Sequence, residues 1–352
     1  MDKKMKMVQA KSLAQKIAFA PFSFQAIKTM VDLGILKLID ESLPDGISVE
    51  DIEKKLNLNH YTVSTLLEVG TFSDVVELKD NKYNITKIGQ CFLYDTMTKV
   101  NFNFVNDVCY QGMFYLKDSF VNSKPEGLKC FGDWKTIYEG LSSLPEDVKK
   151  SWFDFDHFYS DNSFEQVIKI ILESNPKRVF DIGCNTGKFE TAMFKNGYTG
   201  TMVMIDLQKQ LNMAKRNMEK INKSENCEFF PTNILDASLG LPNNPDVVIM
   251  SQFLDCFSLE EIVSILKKVK SVMLNGTKVF ILEPFWDKQK FEAAKLSLTH
   301  ISLYFTALAN GNSKMYSCNE MLDCINKSGL RLSKIHENIG PFEYTLLECS
   351  CI

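Results

Sequence analysis

One stretch constrains this chain more than any other: Val179-Phe180-Asp181-Ile182-Gly183-Cys184-Asn185-Thr186-Gly187-Lys188-Phe189. An apolar run, read as a strand, ends in Asp-x-Gly-x-x-x-Gly, and a helical pattern begins. Glycines at that junction permit a tight turn. They also let backbone approach a ligand closely, at the carboxyl end of a strand and the amino end of a helix. Nineteen residues beyond Gly187 the next apolar run ends in Asp206, followed by Leu207. A carboxylate placed there accepts hydrogen bonds from ribose hydroxyls. Strand, glycine turn, helix, strand, acid is the order of a nucleoside site. A loop built for tight packing alone would leave Asp206 without a reason.

The same loop says which nucleoside to expect. A dinucleotide fold needs Gly-x-Gly-x-x-Gly so that a pyrophosphate can rest on the helix terminus, and this loop lacks that spacing. Asp181 at its entrance repels a pyrophosphate and attracts an ammonium or a sulfonium centre. S-adenosylmethionine has both cations and no phosphate. It is the cofactor expected at Asp181, Gly183, Cys184, Asn185, Gly187, Asp206 and Leu207. A third element, Thr232-Asn233-Ile234-Leu235-Asp236, follows a short strand where adenine-binding side chains belong. Asn233 and Ile234 are the candidates there, while Asp236 reads equally well as a turn residue.

From Pro176 onward, β-rich runs at 178–182, 201–205, 228–230, 246–250, 278–282 and 345–349 alternate with helical patterns, for example at 208–221 and 259–274. This alternation predicts an α/β fold, a doubly wound Rossmann-like sheet with helices on both faces.

The region before it reads differently. Ile27, Met30, Val31, Ile35 and Leu38 recur at helical spacing, with Gly34 on the same stripe, so one helix ends there and a short one begins. Ser48, with Asp51 three residues on, caps a helix over 49–56, and Asn59 opens another through Val63, Leu66, Leu67 and Val69. Runs at 75–78 and 83–86 then flank the polar turn 79–82. Helix, turn, helix, hairpin is the winged-helix order. A DNA-reading helix would carry Arg or Lys toward base edges, and residues 60–68 have neither. A protein-protein or lid role is therefore expected. The predicted layout is a mainly α winged-helix domain over 1–100, an aromatic-rich helical linker and pocket roof over 101–170, and a donor-binding catalytic domain over 171–352.

Formal net charge is −4, which offers no broad basic field to a nucleic acid. The ten cysteines include no CxxC pair, and the four histidines lie far apart, so structural-zinc spacing is missing and no metal is expected. Reduced thiols, no stretch of 18 apolar residues and no signal-peptide pattern point to a cytoplasmic protein without a membrane partner.

Read together, Asp181–Gly187, Asp206 and the segment Met250-Ser251-Gln252-Phe253-Leu254-Asp255-Cys256-Phe257-Ser258 make the chain resemble the small-molecule O-methyltransferases that dimerise through an N-terminal winged helix. Plant caffeic-acid and flavonoid enzymes and bacterial polyketide-tailoring enzymes belong to that family. The resemblance runs from about residue 10 to the C-terminus and implies a class I methyltransferase sheet, a homodimer, S-adenosylmethionine as donor and a small-molecule acceptor. It places Ser251 and Gln252 beside the donor and the general base in the loop that follows.

That loop departs from the family. Where His-Asp-Trp is usual, this chain has Asp255-Cys256-Phe257, so a carboxylate stands where imidazole is expected. Glu283 resembles a carboxylate that flanks the base, and a second flanking glutamate falls on Met315. Asp255 beside Glu283 is the preferred base, its pKa raised by burial and like charge. The bland alternative makes Asp255 a cap of the following helix. His157 in the aromatic linker and His300 on the helix with Tyr304 are rival functional histidines. Asn310, Asn312 and Met315 either line the acceptor site or form an ordinary loop. A hydroxylated aromatic acceptor is expected. Carbon or nitrogen methylation, a non-methylating reaction and a nucleoside-sensing regulator stay open at this point.

Overall fold

The computed structural model describes residues 5–351, and the chain parts into two compact units at Asn103 and Phe104. The first unit runs α1 (Met7–Ala18), α2 (Ala20–Asp32), α3 (Ile35–Glu41), α4 (Val49–Leu56), α5 (His60–Phe72), β1 (Val76–Lys79), β2 (Lys82–Ile85), α6 (Lys87–Tyr94) and α7 (Thr96–Asn103). Gly34, at φ 75°, breaks the apolar stripe into α2 and α3 because a left-handed residue cannot continue a helix. Ser48 Oγ accepts the Asp51 amide at 3.2 Å and Asn59 Oδ1 accepts the Thr62 amide at 2.8 Å, which fixes where α4 and α5 begin. Met30, Ile35, Leu36, Ile39, Ile52, Val63 and Leu67 are fully buried together, each contributing about 1.5–3 kcal/mol. By contrast α1 buries none of its residues.

The second unit opens with α8 (Leu116–Asn122), α9 (Ile137–Gly140), α10 (Glu146–Ser160) and α11 (Phe164–Leu172). Then follow β3 (Arg178–Ile182), α12 (Lys188–Lys195), β4 (Thr201–Asp206), α13 (Gln208–Lys220), β5 (Cys227–Pro231), β6 (Val247–Ser251), α14 (Leu259–Ser271), β7 (Lys278–Glu283), α15 (Glu292–Tyr304), α16 (Cys318–Ser328), β8 (Leu330–Ile339) and β9 (Tyr344–Cys351). The seven strands lie in the order β5-β4-β3-β6-β7-β9-β8. Strands β3 to β7 pair in parallel, and β9 runs antiparallel to both β7 and β8. Phe180, Val203, Val248 and Val279 pack on one face against Ile262, Ile265, Met321 and Ile325 of α14 and α16. Val179, Met202, Val247 and Phe280 pack on the other against Val167, Met193 and Leu211 of α11–α13. Both faces are covered, as a parallel sheet requires. Strand order reverses between β3 and β6, so the carboxyl ends of these two strands open a crevice.

Strand β8 was not foreseen from the sequence. It is a largely exposed edge carrying Arg331, Lys334 and Glu337, and its pairing with β9 shifts twice, so neither an apolar run nor a steady alternation marks it. The aromatic region forms a further core, in which α10 packs with a π-helical turn at Phe104–Cys109 and another at Phe305–Ala309 prolongs α15. Phe104 stacks on Phe155 at 4.1 Å, and Trp152 Nε1 donates to Tyr304 Oη at 2.7 Å. No described helix is long and apolar enough to cross a membrane.

Candidate functional site

The bend after β3 is built from left-handed residues: Gly183 at φ 87°, Asn185 at 48° and Gly187 at 80°. A Cβ on Gly183 would stand 2.2 Å from Cδ2 of the Phe253 ring, so glycine is needed there for space as well as for φ. The bend is fastened to the neighbouring strand. The Asn185 amide donates to Asp206 Oδ2 at 2.9 Å, and the Leu207 amide donates to Oδ1 at 2.7 Å. Burial pushes the Asp206 carboxyl up to about 6, against the two amides that pull it down. Each oxygen retains a second lone pair.

Asp181 is 3% exposed and shares a sheet face with Val179, toward the α11–α13 layer. There it meets Glu190 on α12, which is wholly buried. Burial raises the Asp181 carboxyl to about 7, while a hydrogen bond with Glu190 draws it down and the charge of Asp206 lifts it further. Glu190 is pushed well above its usual range by burial and by the charge of Asp181. Cys184 is buried beside them.

At the end of β6, Ser251 Oγ and Gln252 Nε2 are buried with no hydrogen-bond partner among the described residues. Gln252 sits at φ 49° and its Oε1 accepts from Tyr344 Oη at 2.9 Å. Orphaned polar atoms beside a sheet crevice are what a polar ligand would satisfy. After β5, Asn233 is exposed and its Oδ1 accepts the Leu235 amide at 3.0 Å, which leaves the side-chain amide to donate. Ile234 is buried in the core, and Asp236 Oδ1 accepts the Ser238 amide at 2.9 Å, the geometry of a turn residue. These atoms suit a cationic nucleoside better than a pyrophosphate. The acids Asp181 and Asp206 flank the bend, and Lys188 at the start of α12 is paired with Asp161 at 2.6 Å.

Asp255 lies in a tight turn, Leu254–Cys256, and is 7% exposed. It does not cap the following helix: Ser258 does, accepting the Glu261 amide at 3.3 Å while Glu261 Oε2 accepts the Ser258 amide at 2.8 Å. With Glu283, Pro284, Phe285, Met315, Tyr316 and Met321, Asp255 lines a narrow crevice. Glu283 Oε1 accepts the Phe253 and Leu254 amides at 3.2 and 2.9 Å, and its buried Oε2 meets no donor among the described residues. Burial lifts Asp255 to about 6. Burial and the charge of Asp255 lift Glu283 well above the carboxylate range. Tyr138 Oη donates to Cys256 Sγ at 3.0 Å, and that thiol lies 3.4 Å from Asp255 Oδ1.

The end of α10 is tied to the glycine bend. Asn185 Nδ2 donates to Asp156 Oδ2 at 3.4 Å, and His157 Nδ1 stands 3.7 and 3.8 Å from Asp156 and Asp161. Burial and Lys188 lower the His157 pKa. Burial, Asp161 and Asp255 raise Asp156 to about 7. His300 is not among the crevice residues; it is exposed, with Nδ1 2.7 Å from the Leu296 carbonyl of its own helix. Asn310 Nδ2 donates to the Cys256 carbonyl at 2.7 Å, and its Oδ1 accepts the Asn312 and Ser313 amides. Asn312 faces Glu261 at 3.2 Å on the exposed side.

Sequence reasoning missed Glu190, Tyr138 and Asp156. Glu190 had a signal, since it falls on the stripe of Met193 and Phe194 three and four residues on, an acid where an apolar residue belongs. Tyr138 and Asp156 had none, because they reach Cys256 and Asn185 across 118 and 29 residues of chain.

Among the described residues no group of three or more His, Cys, Asp or Glu is placed to hold a metal ion. Comparison with known proteins matches residues 11–83 to a Dimerisation2-like domain and residues 116–329 to an O-methyltransferase domain. No curated protein matches the sequence. Among solved structures, the apo form of the S-adenosylmethionine-dependent methyltransferase SibL is 18% identical, covering 97% of this chain and 99% of its own, at a TM-score of 0.71. The mitomycin 7-O-methyltransferase MmcR is 15% identical over 97% and 98%, at 0.73. Human N-acetylserotonin methyltransferase in complex with SAM is 14% identical over 100% of both chains, at 0.66. At such identities the likeness is one of fold. The domain match spans more than half of the residues, and the chain therefore belongs to the O-methyltransferase family, enzymes whose methyl donor is S-adenosylmethionine.

Proposed function

We propose that this chain methylates the hydroxyl of a hydroxylated aromatic small molecule, with Asp255 as general base where the family uses histidine. The observation that carries the reading is the buried pair of Asp255 and Glu283 at the crevice, with Glu283 Oε2 left without a donor. S-adenosylmethionine, when bound, supplies an electrophilic methyl group on a sulfonium. Asp206 receives the ribose hydroxyls, Asp181 supplies negative charge to the ammonium from beneath the bend, the Gly183–Gly187 bend fits against the donor, and Asn233 and Ile234 flank the adenine. Ser251 and Gln252 bring their unsatisfied groups to the same ligand. The chain's part in catalysis is positioning, exclusion of water and proton removal. A phenol titrates near 10, so a base held in place contributes about 10²–10⁴-fold. Asp255, lifted to about 6, is ionised at neutral pH and stronger than an ordinary carboxylate. Glu283 holds the turn that carries it. Met315 lines the acceptor side, Tyr304 belongs to the aromatic core behind it, and Asn310 steadies the turn through the Cys256 carbonyl.

One observation favours a second reading, transfer to an amine. Asp255, lifted to about 6, is the ionised group there, while burial pushes Glu283, Cys256 and Tyr138 well up toward their neutral forms. A phenolate beside ionised Asp255 meets like charge, about 4 kcal/mol for a pair 4 Å apart near a protein surface, whereas an ammonium is attracted. His157 is the rival base in either reading.

Residues 1–100 serve as the winged-helix dimerisation domain of a cytoplasmic homodimer, 101–170 as linker and pocket roof, and 171–352 as the donor-binding domain. Radiolabelled S-adenosylmethionine with matched phenols and amines tests the reaction. Asp255→Asn should lower turnover about 10²–10⁴-fold with donor affinity near wild type. Unchanged turnover removes Asp255 from the mechanism.

A further inference from the structure

Glu190 has no place in the roles above, and its surroundings ask for one. It is on the third residue of α12, 0% exposed, on the stripe with Met193 and Phe194. No other described residue donates a hydrogen bond to either of its carboxylate oxygens, and its own backbone amide draws its pKa down. Its hydrogen-bonding neighbour is another acid, Asp181, which is itself 3% exposed. Two carboxylates in a dry interior repel each other and lose hydration, and the pair persists only if one proton lies between them. The charges that act on the two acids are each other's and that of Asp206 at the end of β4, and all three acids in turn raise Cys184 in the bend. Cys227 on β5 feels Glu190 from the strand beyond.

We propose that Glu190 is a positioning residue for the methyl donor: it holds a proton toward Asp181, so that Asp181 keeps one negative charge beneath the glycine bend for the donor's ammonium. This rests on the assignment of Asp181 to the donor made above. The proton bridge aims the Asp181 carboxylate and stops it from becoming neutral in an apolar setting. Burial raises Asp181 and the bond from Glu190 lowers it, so removing the bond shifts Asp181 toward its neutral form. The wild-type pair then loses its charge as pH falls through about 7, where Asp181 takes up a second proton.

The test is titration calorimetry with S-adenosylhomocysteine, which keeps the ammonium, and 5′-methylthioadenosine, which has the nucleoside without the amino-acid tail. Glu190→Gln retains a donor toward Asp181 and should bind S-adenosylhomocysteine within about threefold of wild type. Glu190→Met has similar bulk and no donor, and should bind it about tenfold or more weakly at pH 7.5, while methylthioadenosine binds all three proteins alike. Wild-type affinity for S-adenosylhomocysteine alone should decline from pH 8 to 6. The proposal is overturned if Glu190→Met binds like wild type, if Glu190→Gln is as weak as Glu190→Met, or if both ligands weaken together. A wild-type protein that takes up neither ligand would instead overturn the donor assignment itself.

Discussion

Glu283 Oε1 accepts the backbone amide of Leu254 at 2.9 Å, so the last residue of β7 holds the turn in which Asp255 sits. That bond separates two roles of one carboxyl. Glu283→Gln keeps an acceptor for the Leu254 and Phe253 amides but removes the titratable carboxyl beside Asp255. Its urea midpoint should stay near wild type while turnover falls. Glu283→Ala strands two buried amides and should cost about 1–3 kcal/mol in urea unfolding as well. Equal stability loss in both variants would show that the carboxyl itself, and not just an acceptor, is structural.

Turnover should rise as pH increases through about 6, because Asp255 is lifted there from 3.8 and acts as a base only when ionised. The limb follows from burial, so it should vanish in Asp255→Asn and remain in His157→Gln. A limb that disappears with His157 instead would move the base to that residue.

The two glycines of the bend should differ in tolerance. Alanine at Gly183 meets the Phe253 ring and a φ of 87°, a strain of about 1–3 kcal/mol with loss of donor binding. Alanine at Gly187 meets the flexible ends of Met204 and Met218 at 3.1 and 3.2 Å and Ala214 Cβ at an ordinary 3.5 Å, so its cost is the left-handed backbone, about 1–2 kcal/mol. Urea midpoints and calorimetric titration of the two variants compare these directly.

Dimerisation should depend on α1 and the start of α2. Val8, Ile17 and Phe22 are 78%, 76% and 71% exposed and α1 buries none of its residues, which leaves an apolar surface of the kind that marks an interaction site. Ile17→Glu with Phe22→Glu should convert a dimer to a monomer in light scattering. A wild-type protein that is already monomeric would dismiss the assignment.

Much of this protein was determined by local sequence. The glycine bend, Asp206 and the capped helices α4 and α5 depend on residues a few positions apart, where steric limits on φ and short-range hydrogen bonds act regardless of the rest of the fold. The apolar runs of β3, β4, β6 and β7 announce a sheet covered on both faces for the same reason. Tertiary structure alone decided the rest. Charged, bulged β8 is a strand only because β9 offers it an edge. Tyr138 approaches Asp255 through Cys256, and Asp181 faces Glu190 instead of open solvent, because packing brought distant or differently facing side chains into one dry place. The strength of a buried carboxyl depends on what surrounds it, and that is a property of the folded interior, which spacing along the chain does not encode.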